Sequence, residues 1–212
     1  MSNAPPPAPL LPVMLRLEGQ TCVVIGGGKV ALRRIKSLLE CKAQVTVIAP
    51  EAETEILQWA ATGRLEWHKR PYQWGDLEGA FMAVLASSSP KVHDKAMDEA
   101  QMGNVLVNRT DAPQYGDIEV AAHERRGLLT VAIHTGGASA AAAKAIRDEV
   151  VEKLNPDWVA FLDALTIVRE EVQRDVFPGL ARENLLRQLG GEEGKAAFQN
   201  GGLESLRALV KN

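Results

Sequence analysis

Between Thr21 and Asn108 the hydrophobic positions alternate between two rhythms, short uniformly apolar runs and longer stretches with apolar residues three and four apart. A uniform run suits a strand covered on both faces, and the wider spacing suits a helix with one buried stripe. Strands are predicted over residues 22–25, 45–48, 65–68, 81–86 and 105–108. Helices are predicted over 30–40, with Ala31, Ile35, Leu38 and Leu39 inward, over a stretch carrying Ile56, Leu57 and Ala60 that ends at Gly63, and over 92–102. Strand and helix in alternation imply βαβ units around a parallel sheet.

Beyond Asp111-Ala112-Pro113 the rhythm changes: strands are expected over 118–122 and 128–134, joined across 124–127. Gly136-Gly137 then opens an Ala-rich helix from Ser139 to about Leu154, which Asn155-Pro156 stops. Residues 158–176 and 203–210 read as amphipathic helices, with Pro178 and Gly190-Gly191 as breaks, and no internal repeat is visible. The fold class is therefore α/β: a Rossmann-like parallel sheet over 13–112, a small separate α+β module over 113–154, and a helical C-terminal domain over 155–212. Residues 1–12, rich in Pro and Ala but lacking a basic start and a continuous apolar core, read as a disordered tail rather than a signal peptide.

Composition excludes several classes. The chain has 212 residues, 46% hydrophobic and 24% charged, which is ordinary for a globular protein able to bury a core. With 24 basic against 27 acidic residues there is no cationic excess to hold a polyphosphate backbone, so nucleic acid is not an expected partner. No apolar run reaches the roughly eighteen residues that a bilayer crossing requires, so no membrane is expected either. Cys22 and Cys41 stand outside any CxxC or Cys/His spacing and read as reduced thiols of a cytoplasmic protein. His68, His93, His123 and His134 show no HxxxH or HExxH spacing and read as surface or packed imidazoles; no metal site is expected.

Candidate chemistry begins at Gly26-x-Gly28-x-x-Ala31, directly after one strand and before one helix. Gly26 would permit the tight turn, Gly28 the approach of a pyrophosphate, and Ala31 close packing of helix on strand. The alternative is a glycine turn that merely joins two elements. At the end of the second strand, Ala49-Pro50-Glu51 offers one carboxylate for a ribose, although Glu51 could instead begin the next helix. No basic residue stands there to receive a 2′-phosphate, which favours NAD over NADP. Asp111 leaves the fifth strand at its ligand-binding end, as a general base or as an Asx turn before Pro113. Thr135-Gly136-Gly137-Ala138-Ser139 is an anion-binding helix start or an ordinary cap. Arg109, Arg125, Arg126, Lys144 and Arg147 suit a polycarboxylate substrate or a solvated face equally.

Taken together, Gly26-Gly27-Gly28-Lys29-Val30-Ala31, Val45-Thr46-Val47-Ile48-Ala49-Pro50-Glu51, Val107-Asn108-Arg109-Thr110-Asp111-Ala112-Pro113 and the Thr135 to Ser139 motif resemble the precorrin-2 dehydrogenase family, including the N-terminal module of multifunctional siroheme synthases. The resemblance spans about residues 11–154. It implies NAD-dependent oxidation of the tetrapyrrole precorrin-2 to sirohydrochlorin in an intertwined homodimer with its active site between domains. It further implies NAD contacts at Lys29, Val30, Pro50 and Glu51, an essential carboxylate at Asp111, and a tetrapyrrole site beside Thr135, with Gly136 and Ser139 in the same motif. Ferrochelation of sirohydrochlorin is a further activity of bifunctional members. The chain departs from the family at Ala86-Ser87-Ser88-Ser89-Pro90 and His93, where an Ala-Thr-Asp-Asp type segment and a later Asn are usual, and at Ala121 and Ala140, where Pro is usual. From another class, a regulatory module that senses NAD without catalysis would need no base at Asp111.

Overall fold

A computed structural model describes residues 9–211, so most of the tail expected over 1–12 lies outside the described residues. The chain divides into two compact units between Val120 and Ala121. In the first, β1 (Thr21–Ile25), β2 (Gln44–Ile48), β3 (Glu66–His68), β4 (Met82–Leu85) and β5 (Leu106–Arg109) form one parallel sheet of order β3-β2-β1-β4-β5. The helices α1 (Lys29–Glu40), α2 (Thr54–Ala61) and α3 (Pro90–Gly103) lie between strands along the chain.

The uniform apolar strands are explained by two cores, one on each face. Val24, Val45, Val47 and Val84 pack with Ala31, Ile35 and Leu38 of α1 and with Ile56 and Trp59 of α2. Val23, Ile25, Ala83, Leu85 and Val107 pack with Ala96 and Ala100 of α3. The buried pair on α2 is Ile56 and Trp59, whereas Leu57 and Ala60 are only partly covered. From β1 the chain builds outward to β3 and then returns to add β4 and β5 on the other side. The chain leaving β1 therefore turns to one face of the sheet and the chain leaving β4 to the other, and the crevice between these connections is the usual ligand position in an open α/β sheet.

The loop before β4 is fastened from within. Glu99 of α3, 7% exposed, accepts from the Leu77 amide at 2.6 Å and from the Tyr72 hydroxyl, and burial together with this carboxylate raises the Tyr72 pKa. Arg70 grips both Asp76 oxygens at 2.7 and 2.8 Å, and the Gln73 amide donates to the same carboxylate at 2.7 Å.

Of the strand expected over 118–122 only Ala122 is strand, as the first residue of the hairpin that follows. The Asp117 and Ile118 amides both donate to the Val107 carbonyl, at 2.8 and 3.0 Å, and the Asn108 Nδ2 donates to the Ile118 carbonyl at 2.8 Å. This segment is thereby held along β5 and packs Ile118 into the first core. The second unit opens instead with β6 (Ala122–Arg126) and β7 (Leu129–Ile133), an antiparallel hairpin in which Arg126 opposes Leu129. Its two-residue turn has Gly127 at φ +57°, a conformation that glycine adopts without strain.

Beyond the hairpin, α4 (Ala140–Lys153) is followed by α5 (Asp157–Asp175), α6 (Leu180–Gly190) and α7 (Glu192–Lys211). Phe161, Val168, Val172, Leu189 and Leu206 form the core of the last three helices. The helix expected over 203–210 is the part of α7 beyond a kink at Gly201 and Gly202. No helix among the described residues is long and apolar enough to cross a membrane.

Candidate functional site

At the carboxyl end of β1 the chain turns so tightly that side chains have no room. A Cβ on Gly26, whose φ is +122°, would fall 2.4 Å from the Ala86 carbonyl oxygen, and one on Gly27 would fall 2.2 Å from the Glu51 carbonyl oxygen. The turn is thus wedged between the segments that leave β4 and β2. Gly28 differs: a Cβ there would meet nothing within 4 Å. It is the N-cap of α1 and supplies no side-chain acceptor, so the first-turn amides of Lys29, Val30 and Ala31 carry the helix's partial positive charge without a side-chain cap. Ala31 is fully buried and draws α1 against the sheet.

These glycines line a cleft of about 680 Å³ together with Ala49, Pro50, Glu51, Glu53, Ala86, Ser87 and Ser88. Glu51 precedes α2, whose first-turn acid is Glu55, so it is a cleft residue and not a helix start. An open amide-lined floor with a carboxylate at one rim fits a dinucleotide: pyrophosphate on the glycine turn, ribose at Glu51. Sequence reasoning misses Gly27, because its proximity to Glu51 arises only when β1 and β2 lie side by side.

A second group of polar residues occupies the same edge of the sheet. Asp111 follows β5, and Arg109 at the end of that strand reaches its two oxygens at 3.1 and 3.3 Å while reaching Asp94 of α3 at 3.1 Å. His93, on the first turn of α3 and 1% exposed, brings its Nδ1 to 3.0 Å from the Asp111 Oδ1. Helix α3 begins where β4 ends, and β5 runs parallel to β4 and ends at the same edge, so the topology places His93 beside Asp111. Raised basicity by burial would suit Asp111 as a base, but the structure has the opposite sign. Its side chain is 39% exposed, and Arg109's hydrogen bonds outweigh partial desolvation and, with His93 adjacent, hold the carboxyl below its ordinary value.

In the second unit, Thr135, Gly136 and Ser139 form one closed turn. The Thr135 hydroxyl donates to the Ser139 carbonyl at 3.1 Å and accepts from its amide at 3.3 Å, and the Ser139 hydroxyl caps α4 by accepting from the Ala142 amide at 3.1 Å. Gly136 and Gly137 take φ of +62° and +79° with open space where a Cβ would be. Of the basic residues noted in the sequence, Arg109 is held by Asp111 and Asp94, while Lys144 and Arg147 are held by Asp148. Among the described residues no group of three or more His, Cys, Asp or Glu side chains is placed to hold a metal ion.

The sheet order and the glycine cradle define a nicotinamide-dinucleotide-binding Rossmann domain, and a family model described as putative NAD(P)-binding matches residues 13–122. The chain is 31% identical over 162 residues to precorrin-2 dehydrogenase of Bacillus subtilis (strain 168), an alignment covering 76% of this chain and 99% of the relative. It is 33% identical over 162 residues to precorrin-2 dehydrogenase of Priestia megaterium, covering 76% of this chain and 80% of that one. A solved structure described as SirC, precorrin-2 dehydrogenase superposes with a TM-score of 0.80 at 28% identity, covering 96% of this chain and 100% of the other. The chain belongs to the precorrin-2 dehydrogenase family. It also matches siroheme synthases, such as that of Nitrosococcus oceani at 30% identity over 137 residues, of which it spans 29%.

Proposed function

We propose that this protein is an NAD-dependent precorrin-2 dehydrogenase of siroheme biosynthesis, oxidising precorrin-2 to sirohydrochlorin as a cytoplasmic homodimer. The observation that carries this reading is a side-chain-free glycine cradle and an anionic carboxylate, Asp111, at the same edge of one sheet. Gly26 and Gly28, with the first-turn amides of Lys29, Val30 and Ala31, hold the pyrophosphate; Pro50 and Glu51 border the ribose. Glu51 and Glu53 both line the cleft, so a 2′-phosphate would meet like charge, and NAD is preferred to NADP.

Bound NAD supplies the hydride acceptor. The reaction also releases a proton, and Asp111 takes it. A carboxylate held low by Arg109 is fully ionised at neutral pH but weakly basic, so it acts by position and by giving the proton up quickly. The Thr135, Gly136 and Ser139 turn is assigned to tetrapyrrole binding, with Ser139 holding the turn in shape through its cap on α4.

Anaerobic incubation with precorrin-2 and NAD tests the reading. NADH and sirohydrochlorin should appear in equal amounts, and Asp111→Asn should lower kcat by about 100-fold or more while leaving NAD affinity within about twofold. Binding of NAD without turnover would instead favour a nucleotide sensor. Ferrous iron added to the same assay decides whether siroheme also forms.

A further inference from the structure

We propose that His93 is the proton partner of Asp111, a positioning residue that orients the carboxylate and then takes over the proton it has received. The proposal rests on Asp111 being the proton acceptor. His93 is almost fully enclosed, and neither of its ring nitrogens has a hydrogen-bond partner among the described residues. The buried face of α3 carries Ala96 and Ala100 into an apolar core and Glu99 onto its partners Tyr72 and Leu77, whereas the polar ring of His93 has no such partner. A buried donor or acceptor left unmatched is costly, and at functional sites it commonly marks a group whose partner arrives during the reaction. The ring's Nδ1 stands 3.0 Å from the Asp111 Oδ1 but out of line for a hydrogen bond, and in a neutral ring protonated at Nε2 the Nδ1 carries a free lone pair.

The charged groups around the pair are Arg109 from β5 and Asp94 from α3, and these two are bonded to each other at 3.1 Å. Arg109 also holds Asp111, its Nε reaching the same Oδ1 that the unmatched imidazole approaches. Protonation of Asp111 would weaken the Arg109 contact and turn the carboxyl into a donor 3.0 Å from the Nδ1, which a small turn of either side chain brings into line.

During the oxidation one C–H bond of the substrate breaks, with both electrons passing to the nicotinamide ring as hydride. One further proton leaves the macrocycle, its bonding electrons remaining in the lengthened conjugation, and goes to the Asp111 carboxylate. The carboxyl passes that proton to the His93 Nδ1, restoring the Asp111 anion beside an imidazolium. After product leaves, the proton returns through the partly exposed Asp111 to water.

Nuclear magnetic resonance of the ring nitrogens, followed across pH on the full chain without ligands, tests the pairing. The His93 ring-nitrogen signals should move in Asp111→Asn; signals identical to wild type would overturn the pairing. In turnover, His93→Gln keeps a hydrogen-bonding side chain but cannot carry the proton, and His93→Phe removes both functions. Both should lower kcat about tenfold or more, with KM and NAD affinity within about twofold and the pH profile of kcat altered. Full activity with an unchanged pH profile in a folded His93→Gln would overturn the proton-carrying role. A coupled ring in a chain that never oxidises precorrin-2 would refute the functional reading and leave the pair intact.

Discussion

Gly27→Ala and Gly28→Ala differ by one position and should separate folding from binding, the first costing stability and the second NAD affinity. An alanine Cβ at position 27 falls 2.2 Å from the Glu51 carbonyl oxygen and 2.8 Å from the Ala52 Cα. Ordinary contact requires the β1 turn and the end of β2 to separate by about 1 Å. Because the obstacle is backbone, the cost is that of overpacking, about 1–3 kcal/mol, or a fall in Tm of roughly 5–15 °C for a unit of this size. At position 28 the Cβ meets nothing within 4 Å, and φ −83°, ψ −173° is open to any residue. Replacing a glycine N-cap costs about 0.5–1 kcal/mol, and restriction of the unfolded chain returns about 0.4–1 kcal/mol. Gly28→Ala should therefore melt within about 3 °C of wild type but set a methyl group on the proposed pyrophosphate site, weakening NAD by about tenfold, or 1.4 kcal/mol. Thermal melts and titration calorimetry with NAD read both. A Gly27→Ala protein that melts with wild type, or a Gly28→Ala protein that binds NAD as wild type does, would refute the cradle.

Two further outcomes concern stability. Partial burial alone would raise the Asp76 pKa, but Arg70 and the Gln73 amide outweigh it and hold the carboxyl below its ordinary value. A lowered folded pKa gives stabilisation that is present above about pH 4 and lost as pH falls through the folded value. Asp76→Asn should cost about 1–2 kcal/mol at neutral pH and progressively less below about pH 4; urea melts that differ from wild type by the same amount in both ranges would exclude the Arg70 contact as the cause. In the second unit, Phe161 is 1% exposed and meets Trp158 and Phe198 with ring centroids 5.9 and 5.7 Å away. Phe161→Ala should destabilise the helices by about 3–5 kcal/mol in a urea melt followed by circular dichroism, and a loss under about 1 kcal/mol would place the core elsewhere.

Periodicity and glycine spacing suffice for the parallel sheet, because a strand buried on both faces must be apolar throughout its buried length, as β4 and the Cys22 to Ile25 part of β1 are. The turn after β1 and the Ser139 cap are also legible, since each is a local requirement of backbone geometry met by residues next to one another. The strand misplaced at 118–122 shows the limit: its apolar pattern is real, but the Val107 carbonyl and the Asn108 side chain hold that backbone along β5. The same shift moves the hairpin turn from 124–127 to Gly127 and Leu128, so that 124–126 belong to β6. Tertiary structure alone decides which carbonyl crowds Gly27 and that an unremarkable His93 lies against the Asp111 carboxylate. The physical reason is range. Hydrophobic rhythm reports how one element meets its surroundings, whereas charge pairing and close backbone approach belong to residues far apart in sequence that only the parallel arrangement of β4 and β5, and of β1 and β2, brings within a few ångströms.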